Sequence, residues 1–217
     1  MKFKRYNYKK KNDREILEHS HNFMQLMLNR RSIRDFSSKE VPDKVIENIL
    51  KTAISSPSGA NKQPWSFVVV KSRDLKKKIR IAAEQEEKKF YKQRATDEWL
   101  DDLNKFGTSW EKPFLEEAPA LIIIFRQSYD NSGSKKRKNY YVNESVGIAC
   151  GVLLAALHCS GLATLTHTPS PMEFLEKILK RPKNEKAFLL IPVGFPSQDA
   201  KVPNLNKKPF EEICNIL

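Results

Sequence analysis

Three runs in the 217-residue chain are apolar without alternation: Phe67-Val68-Val69-Val70, Ala120-Leu121-Ile122-Ile123-Ile124-Phe125, and AFLLIPVGF from Ala187 to Phe195. A strand with one wet face alternates apolar and polar residues, so these runs predict strands covered on both faces, the first spanning Trp65 to Val70. Two covered faces require two further layers, and the sequence offers helices for them. Residues 13–29 (DREILEHSHNFMQLMLN) place Ile16, Phe23, Leu26 and Met27 near one helical face. Pro42-Asp43 opens a second helix, where Val45, Ile46, Ile49, Leu50 and Ala53 recur at three and four residues up to Ser55. A long polar helix begins near Asp74 and runs through EQEEKKFYKQR. With Asn143 as its expected cap, ESVGIACGVLLAALHCSG is apolar almost all round and stops at Gly161. Such a helix belongs in a core or a subunit interface. Strand-like LATLTHT and a short helix at 172–180 precede the last run. The pattern is that of a three-layer α+β or α/β domain.

Nothing in the sequence reads as a linker, so residues 1–217 are expected to form a single domain behind a basic tail at 1–12. The net charge of +13 is concentrated in MKFKRYNYKKK and in SKKRK at 134–138. Elsewhere Lys is interleaved with Glu, which favours solvated tails and loops over a nucleic-acid surface. Cys150, Cys159 and Cys214 form no CxxC pair and suggest free thiols in a reducing, cytoplasmic setting. His19, His21, His158 and His167 show no metal-ligand spacing, so no metal is expected. No apolar core follows the basic N-terminus, and the apolar run Val146 to Leu157 is shorter than the roughly 20 residues of a membrane span. GxGxxG, Walker A and GxSxG motifs are absent, which argues against the commonest nucleotide and hydrolase folds.

Two stretches carry chemistry. In SSPSGANKQPW (55–65), Ser58, Gly59 and Ala60 are small, so backbone N–H groups there can lie close to a ligand, although the same residues also make ordinary turns. In RRSIRDF (30–36), Arg30, Arg31 and Ser32 can fork onto a phosphate, with Arg34 on the same side of an extended chain as Ser32.

RRSIRDF and VPDKVIENILKTAISSPSGANKQPWSFVVV together resemble the opening of the flavin-dependent nitroreductase superfamily and, within it, the iodotyrosine deiodinase branch. EEKKFY, TSWEKPFLEEAPALIIIF, NESVGIACGVLLAALHCSGLATLTHTP and LLIPVGFPSQDAKVPNLNKKP extend the resemblance over roughly residues 28–212. It implies an α+β, three-layer fold with a central mixed β-sheet flanked by helices, an intertwined homodimer, and two FMN sites at the subunit interface built from both chains. Arg30, Arg31 and Ser32 would hold the FMN phosphate, Arg34 the ring edge, and Pro57, Ser58 and Gly59 the isoalloxazine. Thr168 would place its hydroxyl at flavin N5 as the catalytic group, favouring stepwise one-electron transfer over hydride transfer. Lys207 stands where the family usually has a phosphate-binding arginine and would retain the charge without the bidentate fork. His167 stands where animal relatives tend to have threonine.

Glu87, Tyr91 and Lys112 separate the deiodinase reading from a general nitroreductase. Glu87 and Tyr91 lie four apart on one helical face. With Lys112 they supply the anion, hydroxyl and cation that a free amino acid's ammonium and carboxylate require. By resemblance, residues 84–112 form a lid over the site, the Ala60 N–H meets the substrate's phenolate oxygen, and 196–217 form a C-terminal extension. The expected activity is FMN-dependent reduction of halotyrosine to tyrosine and halide, with NAD(P)H as donor directly or through a reductase, and with no nucleic acid or membrane as partner. The alternatives are an NAD(P)H-dependent aromatic nitroreductase and a basic nucleic-acid-binding protein.

Overall fold

The computed structural model describes residues 2–130 and 136–217, which fall into two compact units, Met1–Arg30 and Arg31–Leu217. In the first, residues 2–11 are exposed and irregular. Asn12 then closes a capping box with Glu15 and starts α1 (Asp13–Leu28), which buries none of its residues.

The second unit contains α2 (Asp43–Ile54), β1 (Trp65–Val70), α3 (Arg73–Lys89), α4 (Asp97–Asn104), α5 (Phe114–Glu117), β2 (Ala120–Gln127), β3 (Tyr129–Asp130), β4 (Arg137–Lys138), α6 (Val142–Cys159), β5 (Ala163–Thr164), α7 (Glu173–Ile178), β6 (Glu185–Gly194) and α8 (Phe210–Ile213). The main sheet has the order β1-β2-β6-β5, and all of its ladders are antiparallel. The parallel component is a bridge between Ser32 and Thr164 beyond β5. Ser134 and Lys135 of the basic SKKRK run lie outside the described residues, and Arg137 and Lys138 form exposed β4.

The non-alternating runs are explained by two apolar clusters, one on each face of the sheet. Ile122, Ile124, Ile191 and Val193 join Ile46, Ile49, Ala53, Ala149, Leu153 and Leu157, so α2 and α6 cover this face. Leu121, Ile123, Phe125 and Leu190 meet Ile79, Ala83, Leu115 and Leu175 of α3, α5 and α7 on the other. Residues 120–125 are wholly inaccessible, and each large side chain buried there stabilises the fold by about 1.5–3 kcal/mol. β1 also faces both clusters, but its middle four residues remain half-buried because it is an edge strand. By length and composition α6 could cross a membrane, yet Val146, Ala149, Cys150, Leu153 and Leu157 belong to this core.

Several local expectations need correction. Asn143 does not cap α6: Tyr141 occupies the N-cap position at φ 48, and the Asn143 Oδ1 accepts a 3.0 Å hydrogen bond from Arg126. LATLTHT contributes only the two residues of β5 and a separate bridge between His167 and Leu190. The long polar helix does not stay α-helical, because a π-turn occupies Phe90–Arg94 and Ala95 N–H donates to Phe90 O over five residues at 2.9 Å. The C-terminal end of α6 follows expectation: Gly161 takes φ +75, a left-handed conformation in which glycine has no Cβ penalty.

Candidate active site

Along α3 the buried positions run Lys76, Ile79, Ala83, at helical spacing, and one further turn brings Glu87 onto the same stripe. A carboxylate there must find a partner, and it does. Lys112, 4 % exposed, places its Nζ 3.0 Å from the Glu87 carboxylate, whose side chain is 13 % exposed. The same ammonium donates to the Ser109 carbonyl and lies 5.6 Å from the centroid of the Tyr91 ring. The Tyr91 hydroxyl donates to Thr108 O at 3.3 Å. Burial pushes the Lys112 ammonium below the ordinary lysine value against the pull of Glu87, and burial raises the Tyr91 phenol. Glu87, Tyr91 and Lys112 thus converge, as the sequence predicts.

They line a cavity of about 720 Å³, together with Arg34, His167 and Thr168. Residues of the 87–112 segment form one wall, where Phe90 of the π-turn meets Trp99 of α4 edge to face at 4.8 Å and Tyr91 at 5.6 Å. The backbone of His167 is pinned by two hydrogen bonds to Leu190, at 2.9 and 3.1 Å, and its ring lies edge-on to Phe114. Burial first, then Lys112 and Arg34, lowers its pKa to about 3, so the imidazole is neutral at physiological pH. Sequence reasoning gave no role to Glu84, whose Oε1 accepts the backbone N–H of Lys112 at 2.7 Å and Arg80 Nε at 2.8 Å. Its spacing of three from Glu87 and four from Arg80 was the one available signal.

The remaining candidates lie elsewhere in the unit. Residues 31–37 run along the β5 end of the sheet, where Ile33 N–H bonds Thr164 O and Ser37 N–H bonds Phe195 O, both at 2.9 Å. Arg31 donates to Pro203 O. Pro57, Ser58, Gly59 and Ala60 precede β1 at the opposite edge, and none of them lines the cavity. There Gly59 N–H donates to Ser145 Oγ at 3.3 Å, and a Cβ on Gly59 would fall 2.7 Å from the Tyr141 ring. The absent side chain therefore makes room for the start of α6. Ala60, Asn61 and Gln63 all have positive φ, a concentration of backbone strain that is common at functional sites. Lys207 is exposed and outside the cavity lining, and Arg30 ends the first unit.

The donor set suits an anionic, acceptor-rich aromatic cofactor such as FMN. Among the described residues, the half-buried Arg34 guanidinium at the cavity wall makes no hydrogen bond or salt bridge, while Thr168 and Ala60 are exposed. Inside the cavity the buried His167 Nε2 also makes no hydrogen bond. A buried polar atom is seldom left without a partner, so the His167 Nε2 in the cavity wall is the feature that fits a bound group.

Comparison with known proteins shows what the chain is similar to. The profile of the Nitroreductase family matches residues 27–195. An iodotyrosine deiodinase from the bacterium Haliscomenobacter hydrossis is 58 % identical over 195 residues, covering 89 % of this chain and 88 % of that protein. Human iodotyrosine deiodinase 1 is 46 % identical, covering 93 % of this chain and 70 % of the human one. A crystal structure of oxidized iodotyrosine deiodinase bound to FMN and 3-iodo-L-tyrosine superposes with a TM-score of 0.75 at 34 % identity, covering 86 % of this chain and 96 % of that one.

Proposed function

The chain belongs to the nitroreductase family, and from that premise we propose that it is an FMN-dependent reductive dehalogenase that converts iodotyrosine, and bromo- and chlorotyrosine by the same chemistry, to tyrosine and halide. The observation that carries this reading is the convergence of Glu87, Lys112 and Tyr91 in one cavity. A general nitroreductase has no need of a buried anion, cation and phenol within one clamp, whereas a free amino acid needs all three. The Glu87 carboxylate binds the substrate ammonium, and Lys112, with Tyr91 beside it, binds the substrate carboxylate. A buried charge without a counter-charge is costly, so the two ions pair with each other until a zwitterion offers each a new partner.

Arg31, Ser32 and Arg34 would hold the phosphate and ring edge of FMN, with Lys207 adding positive charge. Bound there, FMN supplies two electrons, and with one proton these replace the carbon–halogen bond by carbon–hydrogen and release halide. Thr168, which lines the cavity, would offer its hydroxyl to the bound ring. The Ala60 N–H is at the far sheet edge from Ser32 in one chain, so the partner's Ala60 completes the site in a homodimer and holds the phenolate oxygen. The lid built from α3, the π-turn and α4 closes over the bound amino acid and excludes water. Electrons come from NAD(P)H, directly or through a reductase, and the three free cysteines suit a reducing cytoplasm.

The test is anaerobic. Addition of iodotyrosine to the reduced holoprotein is expected to reoxidise the flavin and release one iodide per flavin, whereas NADPH alone should reduce it slowly. Fast NADPH-driven reduction of nitroaromatics without iodide release would replace this reading by the nitroreductase one.

A further inference from the structure

We propose that Glu84 is a positioning residue for the amino-acid clamp, fixing Lys112 relative to Glu87; the proposal rests on the halotyrosine reading above. Lys112 and Glu87 come from segments 25 residues apart in sequence, and the ion pair between their side chains must open to admit a ligand. Some other contact has to keep the lysine in place when it does. Glu84 provides it: one oxygen accepts the Lys112 backbone N–H at 2.7 Å while Arg80 Nε holds the same oxygen at 2.8 Å. Arg80 in turn reaches Glu116 of α5 at 3.4 Å, so the helix and the segment leading into α5 are tied at two points.

The geometry sets a distance. Glu84 and Glu87 are on one helix, three residues apart, and their backbone separation cannot change while α3 stays helical. Anchoring the main chain of Lys112 to Glu84 therefore fixes how far its ammonium can move from Glu87. The bond is charge-assisted and uses a backbone donor, so it restrains the peptide and leaves the lysine side chain free to swing from Glu87 to a ligand carboxylate. Glu84 also adds a second negative charge felt by Lys112, and Arg80 with Glu116 nearby keeps that charge engaged elsewhere. The Arg80–Glu84 pair, partly buried at i,i+4, holds the carboxylate in place along α3. The bond to Lys112, which crosses between segments, is what gives the carboxylate a function.

Two variants of the FMN-bound protein test this. Glu84→Ala removes the acceptor, and Glu84→Gln keeps an oxygen for the Lys112 N–H while discarding the charge. Glu84→Ala is expected to weaken iodotyrosine binding about tenfold, to leave FMN affinity unchanged, and to speed amide exchange in the ligand-free segment 108–114. Glu84→Gln should keep iodotyrosine affinity within about threefold of wild type. Equal loss of iodotyrosine and FMN affinity in Glu84→Ala, or no loss of either, overturns the proposal, as does Glu84→Gln behaving like Glu84→Ala. Wild-type protein that binds FMN but no iodotyrosine overturns the halotyrosine reading and this inference together, whereas tight binding by both wild type and Glu84→Ala overturns this inference alone.

Discussion

His167 sits within the field of two cations and under near-complete burial, and both disfavour its imidazolium. On the proposed function, a third positive charge beside Arg34 and Lys112 would compete with a substrate ammonium for Glu87, so a neutral ring suits the proposed clamp. The consequence for stability has a definite sign. Between pH 6.5 and about 3 the unfolded chain binds a proton at this histidine and the folded chain does not. Stability from this group is therefore complete above pH 6.5 and falls as the pH drops towards 3, with a slope of up to ~1.4 kcal/mol per pH unit. Carboxylates add their own acid dependence, so the useful quantity is a difference. His167→Thr is expected to flatten the acid limb of urea-denaturation stability between pH 6.5 and 4 relative to wild type, and parallel profiles for the two proteins would refute the assignment. At this scale the sequence was informative where a residue's type states its need, as with the anion, cation and phenol at 87, 112 and 91. It was silent about Glu84, because a bond to a backbone N–H 28 residues away leaves no mark on the identity of the donor.

The β6 element is bounded by close packing as well as by its ladder. Gly194 pairs with Ala163 and lies against Pro119, where a built Cβ would come within 2.5 Å of the proline Cδ. A proline ring cannot rotate away from such a clash, so either the end of β6 or the 118–120 backbone must move, and Ala120 there is fully buried. Gly194→Ala is expected to lower stability by about 2–3 kcal/mol, read as a reduced urea midpoint with an unchanged m-value; an unaltered midpoint would show that the contact is slack. The covered strands were legible because burial on both faces demands apolar residues at consecutive positions, a local signature. Pairing is not local, and so the brevity of β5 and the parallel bridge at Ser32 could not be read in advance. The π-turn was equally hidden: Phe90–Arg94 has an ordinary helical composition, and the shift to five-residue hydrogen bonding appears only where the turn meets Trp99 and Glu86. Asn143 failed as a cap for a related reason, since Arg126 on β2 claims its side chain.

For the whole molecule, the proposed homodimer rests on where the candidate binding residues stand. Ser32 and Thr164 meet beyond one edge of the sheet, and residues 57–60 lead into β1 at the other, with β2 and β6 between them. Strands are spaced by about 4.8 Å, so the two sets stand roughly 14 Å apart across the sheet before any offset along it. One chain cannot easily wrap both around a single ring system, whereas two chains related by a twofold axis can exchange them. The outer face of α6 supports this arrangement. Gly147, Ile148 and Gly151 are exposed there, Ile148 at 47 %, and nothing lies within 4 Å of a Cβ built on either glycine. Phe210, Ile213 and Ile216 of the C-terminal extension are likewise exposed, which is a large apolar area to leave in water. Ile148→Asp places a charge on this face without touching the buried side of α6, so the fold of each chain should survive. On the proposed homodimer, the expected result is a shift from dimer to monomer in sedimentation velocity, accompanied by loss of bound FMN, because each site would lose the 57–60 loop of the other chain. A monomeric Ile148→Asp protein that keeps FMN as tightly as wild type would mean that one chain suffices for the site.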